Sequence, residues 1–161
     1  MQEEILSMLV DNHFGVLTKI TGLFGRRGFN IKALSVGETE NPEVSRITIL
    51  TEGDSRQLGQ IYRQVLKLEE VRRAAVIPKE RLVMRELLLI KIRLGENPEA
   101  VRRIVRFNSA KICTASDGCA VIELCAVPSD ISRFIELLRP FGIIEMSRTG
   151  VTALESAPEM L

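Results

Sequence analysis

The chain has 161 residues, 45% hydrophobic and 27% charged, a balance that suits one domain or two small ones and excludes a disordered chain. Its 22 basic and 21 acidic residues are well mixed and leave a net charge of +1, so no electrostatic footprint for nucleic acid appears. The longest strictly apolar runs, such as LLLI at 87 to 90, fall far short of a membrane span; the opening MQEEILSMLV carries acids where a secretory leader needs bases, and a cytoplasmic protein is expected.

In chain order, EILSMLV (4 to 10) is an apolar run of strand length. Val16, Leu17, Ile20, Leu23 and Phe24 then recur at helical spacing, with Arg26 and Arg27 in the last turn and Gly28 placed as a C-terminal cap. NIKALSVG reads as a strand, ENPE (40 to 43) as a turn, and VSRITILT as a strand with Ile47 and Ile49 on one face. Asp54 or Ser55 caps a second helix carrying Leu58, Ile61, Tyr62, Val65 and Leu66, and VRRAAVI closes the unit as a strand.

The charged stretch PKERLVMRE (78 to 86) reads as a linker, after which the same order returns. LLLIKIRL places Leu88, Ile90, Ile92 and Leu94 on one strand face, and Asn97-Pro98 starts a helix, Asn as cap and Pro at the first helical position. KICTA and CAVIELCAV flank Ser116-Asp117-Gly118, a hairpin signal. Ser129 begins a helix with Ile131, Phe134, Ile135 and Leu138, ended by Pro140 and Gly142, and IIEMS is the last strand. The repeated order predicts an α+β protein of two tandem ferredoxin-like βαββαβ domains, one at 1–77 and one at 87–161, joined by the linker 78–86. Each half is small enough to have a marginal core, so pairing of sheet edges between chains, and hence an oligomer, is expected.

Catalytic chemistry is hard to find. His13 is the only histidine, and no GxSxG, HExxH, GxGxxG or Walker-type loop occurs. The glycines of GLFGRRG lie within and at the end of a helix rather than after a strand, and are read as small residues on a packed face plus a cap. Cys113, Cys119 and Cys125 are neither a CxxC pair nor a disulfide framework. Cys119 and Cys125 share strand parity but stand about 20 Å apart, too far to share a metal, and are read as buried reduced thiols. A non-enzymatic, metal-free chain is expected.

Asn12-His13-Phe14-Gly15 joins the first strand to the first helix. The first amides of a helix lack internal partners and sit at the positive end of the dipole, which suits a carboxylate. Glycine at 15 removes a side chain that would shield them, and Asn12 offers both an acceptor and a donor, a combination fitted to a zwitterion. The blander reading is an N-cap and a turn, with Asn30 a turn residue after Gly28 and His13 a solvent-exposed loop residue. Phe14 is either a hydrophobic staple onto the helix or a lip over the site.

The run ILSMLVDNHFGVLTKITGLFGRRGFNIKALSVGETENPEVSRITIL, above all GLFGRRGFNI followed by SRITI, resembles the ACT domain of the small, regulatory subunit of acetolactate (acetohydroxyacid) synthase; RPFGIIEMSRTGVTAL resembles the end of that family's second domain. The resemblance implies an ACT domain at 1–77 and a non-catalytic partner of a thiamine-diphosphate enzyme of branched-chain amino acid biosynthesis. Such a subunit activates the catalytic large subunit and confers feedback inhibition by valine or another branched-chain amino acid, leucine or isoleucine. It further implies a homodimer holding the amino acid between two ACT domains: Asn12 and Gly15, with Val16 beside them, from one chain, and Asn30 with the backbone around Ile31 from the other. Thiamine diphosphate, magnesium and FAD would belong to the catalytic subunit, and this chain would hold no cofactor. A stand-alone ACT-domain transcription regulator is the alternative; it predicts a basic DNA-reading segment, and none is apparent.

Overall fold

Period-two alternation in the strands and helical periodicity between them sort the apolar side chains onto shared faces, and the computed structural model arranges these into two antiparallel sheets, each carrying two helices. It describes residues 2–95 and 97–157. The α+β class and the two βαββαβ-like repeats are therefore as expected. The described residues form two compact units, residues 2–84 with 151–157, and the described part of residues 85–150.

In the first unit the order is β1 (Gln2–Asp11), α1 (Val16–Arg26), β2 (Ile31–Glu38), β3 (Val44–Gly53), α2 (Ser55–Val65) and β4 (Val71–Val76), and the sheet runs β2-β3-β1-β4. Leu6, Met8 and Val10 of β1 and Ile47 and Ile49 of β3 share one face and bury against Val16, Ile20, Leu23 and Phe24 of α1 and Ile61 and Val65 of α2. Each such aliphatic contributes about 1.5–3 kcal/mol on leaving water. Asp54 caps α2 with a full capping box: its side chain accepts from the Gln57 amide while the Gln57 side chain accepts from the Asp54 amide. Gly28 stands at φ +71 just beyond α1, as its capping role requires. The expected packing of the other two glycines is not found: Gly25 is exposed, with open space where a Cβ would stand, and Gly22 is only partly covered, because the buried stripe of α1 runs through Ile20, Leu23 and Phe24 instead.

The opposite face of this sheet is closed by the chain's own end. Val151 and Ala153, each 2% exposed, cluster with Ile5, Ile77, Ala33, Leu50, Leu82 and Met84, and Ser35 Oγ donates to the Val151 carbonyl at 2.7 Å. This differs from the domain boundaries read from the sequence, which gave residues 151–161 to the second half and made IIEMS the last strand. A further strand, β9 (Thr152–Glu155), follows and pairs with β5 (Leu82–Arg93), and the Ser156 amide donates to the Arg81 carbonyl at 2.8 Å. The stretch 78–86 is likewise not a loose linker: it forms a short 3-10 turn at Lys79–Arg81 and then the start of β5. Its inward positions are Leu82, Met84 and the buried Glu86, and the partner that makes a strand of it lies about seventy residues away in sequence, where no local signal reaches.

The second unit holds the remainder of β5, then α3 (Pro98–Phe107), β6 (Lys111–Ser116), β7 (Cys119–Ala126), α4 (Pro128–Leu138), a 3-10 turn at Arg139–Phe141 and β8 (Ile143–Arg148), in sheet order β6-β7-β5-β8. Leu88, Ile90, Ile92, Ala120, Ile122 and Leu124 face Val101, Val105, Ile131, Phe134, Ile135 and Leu138. Asn97 caps α3 by accepting from the Ala100 amide at 3.1 Å, with Pro98 in the first turn. The β6–β7 hairpin turns through Asp117 (φ +52) and Gly118 (φ +72), the two positive values a tight primed turn needs. Helix α4 starts at Pro128 rather than Ser129, since proline's fixed φ already suits the first helical turn. The thiols are not buried as expected. Cys113 and Cys125 are exposed and Cys119 is half-buried, because their parity puts them on the face opposite the two helices.

Three carboxylates, Glu136 and Glu145 exposed and Glu70 half-buried, are held below the usual value of 4.5 by cations: Glu70 by Lys19, Glu145 by Lys91 and Glu136 by Arg139. A depressed folded-state value means the stabilisation is present above pH 4.5 and is lost as pH falls through the lower folded-state values. Thermal denaturation followed across pH 2 to 7 is expected to show stability falling only below about pH 4.5, with the effect shrinking in high salt because the Lys91–Glu145 and Arg139–Glu136 pairs face water.

Candidate functional site

Helix α1 begins differently from the capped helices α2 and α3. Its N-cap is Gly15, at φ +90, and no side chain hydrogen-bonds to its first amides. Glycine adopts this left-handed conformation without the steric cost an L side chain meets, and nothing lies within 4 Å of where a Cβ would stand. The opening amides of α1 are therefore approachable and free of any side-chain cap, the Val16 amide making only a long 3.5 Å bond to the His13 carbonyl, with the positive end of the dipole behind them.

Asn12 sits one residue beyond β1 and is exposed. Its Nδ2 donates to the Pro42 carbonyl at 2.8 Å and to Glu38 Oε1 at 3.2 Å, and its backbone amide donates to the Glu43 carbonyl at 2.9 Å. These bonds use the donor end of the amide and leave Oδ1 as the available acceptor. The sequence reading gave Asn12 both roles towards a ligand; the structure commits the donor to the β2–β3 turn. It also brings up a residue the sequence reading missed. Glu38, exposed at the end of β2, places a carboxylate beside Asn12, where an ammonium group could pair with it. Its only sequence signal is its place before the ENPE turn.

Val16 opens the helix but is 3% exposed, with its side chain in the core, so only its backbone is available. His13 is exposed, with Nδ1 3.1 Å from the Phe14 carbonyl. Phe14 is fully exposed, so the staple reading fails: a staple from this position needs an apolar residue at position 19, and Lys19 stands there, paired with Glu70.

Asn30 and Ile31 are not near this group. Asn30 is exposed, its carbonyl accepting from Thr51 Oγ1 at 2.8 Å, and Ile31 is half-buried at the start of β2, next to an irregularity in the β2–β3 register. The far end of β2, at Glu38, is the end that touches Asn12, and eight strand residues span roughly 23 Å. One chain thus brings Asn12, Gly15 and Val16 together at one end of the sheet and leaves Asn30 and Ile31 at the other. Among the described residues no three His, Cys, Asp or Glu side chains are grouped to hold a metal ion, and no helix is long and apolar enough to cross a membrane.

The βαββαβ order, the β2-β3-β1-β4 sheet and two helices on one face define the first unit as an ACT-type domain. A family model described as an AHAS small subunit-like ACT domain matches residues 6–73, and one described as the small subunit of acetolactate synthase matches residues 85–157. The chain is 39% identical to a probable acetolactate synthase small subunit of Methanothermobacter thermautotrophicus, over 93% of this chain and 90% of that one, and 33% identical to the isozyme 3 small subunit of Escherichia coli, over 98% of each. The crystal structure of the acetolactate synthase small subunit from Thermotoga maritima superposes with a TM-score of 0.91 at 39% identity, covering 96% of this chain and 98% of that one. The chain belongs to the family of acetolactate synthase small subunits.

Proposed function

We propose that this chain is the regulatory subunit of an acetolactate synthase, raising the activity of a catalytic large subunit and making it sensitive to a branched-chain amino acid, valine first. The amino acid would lie between the ACT units of a homodimer. The observation that carries this reading is the start of α1, whose opening amides are uncapped and held accessible by a glycine at φ +90, in a chain of this family. The ligand carboxylate would take the Gly15 amide and, in place of its long bond to the His13 carbonyl, the Val16 amide, and its ammonium the Asn12 Oδ1, with Glu38 adding charge. Asn30 and the backbone around Ile31 would come from the second chain, since within one chain they lie at the wrong end of the sheet.

The magnitudes suit a sensor. Charge-assisted hydrogen bonds contribute roughly 1.5–3 kcal/mol each and burial of a branched side chain about as much. After the cost of association this leaves affinities on the order of micromolar to millimolar, the range of a metabolite pool. A ligand bridging two chains favours one dimer arrangement, and inhibition follows if the catalytic subunit binds the two arrangements differently. Thiamine diphosphate, magnesium and FAD would reside in the catalytic subunit.

The test is titration of the purified catalytic subunit with this chain, with and without valine. Acetolactate formation is expected to rise on adding the chain and to fall again as valine is added. No gain in acetolactate formation rejects the regulatory role.

A further inference from the structure

We propose that Phe14 is the residue that selects the amino acid's side chain, its ring forming the apolar wall against which a branched aliphatic group packs. This rests on the reading of the α1 site given above. The groups assembled at that site recognise only what all α-amino acids share: backbone amides for the carboxylate, and Asn12 Oδ1 and Glu38 for the ammonium. Discrimination therefore needs an apolar surface near Gly15 that is not already committed to the core. Val16 is committed, being 3% exposed and packed with the buried side chains of α1. Ile31 of a second chain would reach the site by its backbone, its side chain being half-buried at the start of β2. Phe14 is adjacent to Gly15, fully exposed, and lacks an apolar partner at position 19.

The other phenylalanine of α1's surroundings behaves differently: Phe29 packs edge-on against the buried Phe24, ring centroids 6.3 Å apart. An aromatic ring held at a turn offers large contact area with only two side-chain torsions to immobilise, which is economical for binding a small aliphatic group. Selection by such a wall follows the area covered. Valine, leucine and isoleucine should bind well, alanine poorly, and the difference should disappear with the ring.

The experiment is calorimetric titration of the intact chain with valine, leucine, isoleucine and alanine, in wild type, Phe14→Ala and, as a control, Phe107→Ala, which removes another solvent-facing ring (85% exposed) from the second unit. Phe14→Ala is expected to weaken the three branched ligands about tenfold and alanine less than about threefold, and Phe107→Ala to change neither. Sedimentation of Phe14→Ala is expected to give the wild-type oligomeric state. Wild type binding none of the four would remove the α1 site and this inference with it. Wild type binding valine while Phe14→Ala keeps the same valine-to-alanine ratio would overturn the inference alone. A changed oligomeric state, or unchanged binding with weaker stimulation of the catalytic subunit, would also overturn it, making Phe14 a subunit contact instead.

Discussion

Gly15→Asp is expected to abolish amino-acid binding, and with it feedback inhibition, while leaving stimulation of the catalytic subunit in place. The backbone there stands at φ +90, a region aspartate visits more readily than most residues, and no atom lies within 4 Å of the new Cβ, so the fold should absorb the change at about 1 kcal/mol. The introduced carboxylate lies beside the uncapped amides of α1 and competes for them, and it repels the carboxylate of the incoming ligand. Losing one charge-assisted hydrogen bond and adding a like charge amounts to about 3 kcal/mol or more, over a hundredfold in affinity. Calorimetric titration with valine checks it. A variant that binds valine as the wild type does would show that the amides of α1 are not the carboxylate site.

The second large effect concerns stability. Glu86, on the helix-covered face of β5, is 4% exposed, and Arg148 at the end of β8 meets it with both forks, Nε to Oε1 at 2.9 Å and Nη2 to Oε2 at 2.6 Å. The Glu86 hydrogen bonds hold the guanidinium above its ordinary value, so the arginine is fully charged at neutral pH and the pair is complete there. Arg148→Met leaves the buried carboxylate without its cation. Breaking a buried pair costs about 3–5 kcal/mol, and the partial exposure of Arg148 screens this to about 2–3 kcal/mol. For a unit of this size, thermal denaturation should show a fall of roughly 10 °C. The double variant Glu86→Leu/Arg148→Met removes both charges together and is expected to regain most of the loss. If the double variant is no more stable than the single one, the cost lies in lost packing by the arginine stem instead.

Much of this molecule was legible locally. Ile47 and Ile49 announce their strand by alternation, Ser116-Asp117-Gly118 its hairpin, and Asn97-Pro98 and Asp54 their helix starts, because each signal acts over a few residues. The candidate site was half legible. Asn12 and Gly15 stand out because a glycine before an amphipathic helix has a backbone consequence, whereas Glu38 is an ordinary acid before a turn until the β2–β3 hairpin carries it to Asn12.

By itself, then, the chain's order of apolar and turn residues determined the two repeated α+β units, the presence and order of their four helices and a glycine-started first helix. Only the tertiary structure decided that residues 151–155 return to cover the first sheet, that part of 78–86 is a strand, that the cysteines lie on the face opposite the helices, and that Asn30 and Asn12 sit at opposite ends of one unit. The reason is one of range. Propensity, capping and period act between neighbours along the chain, while the pairing of β9 with β5 and the placing of Glu38 beside Asn12 depend on contacts between residues far apart in sequence, which closure of the sheets alone brings together.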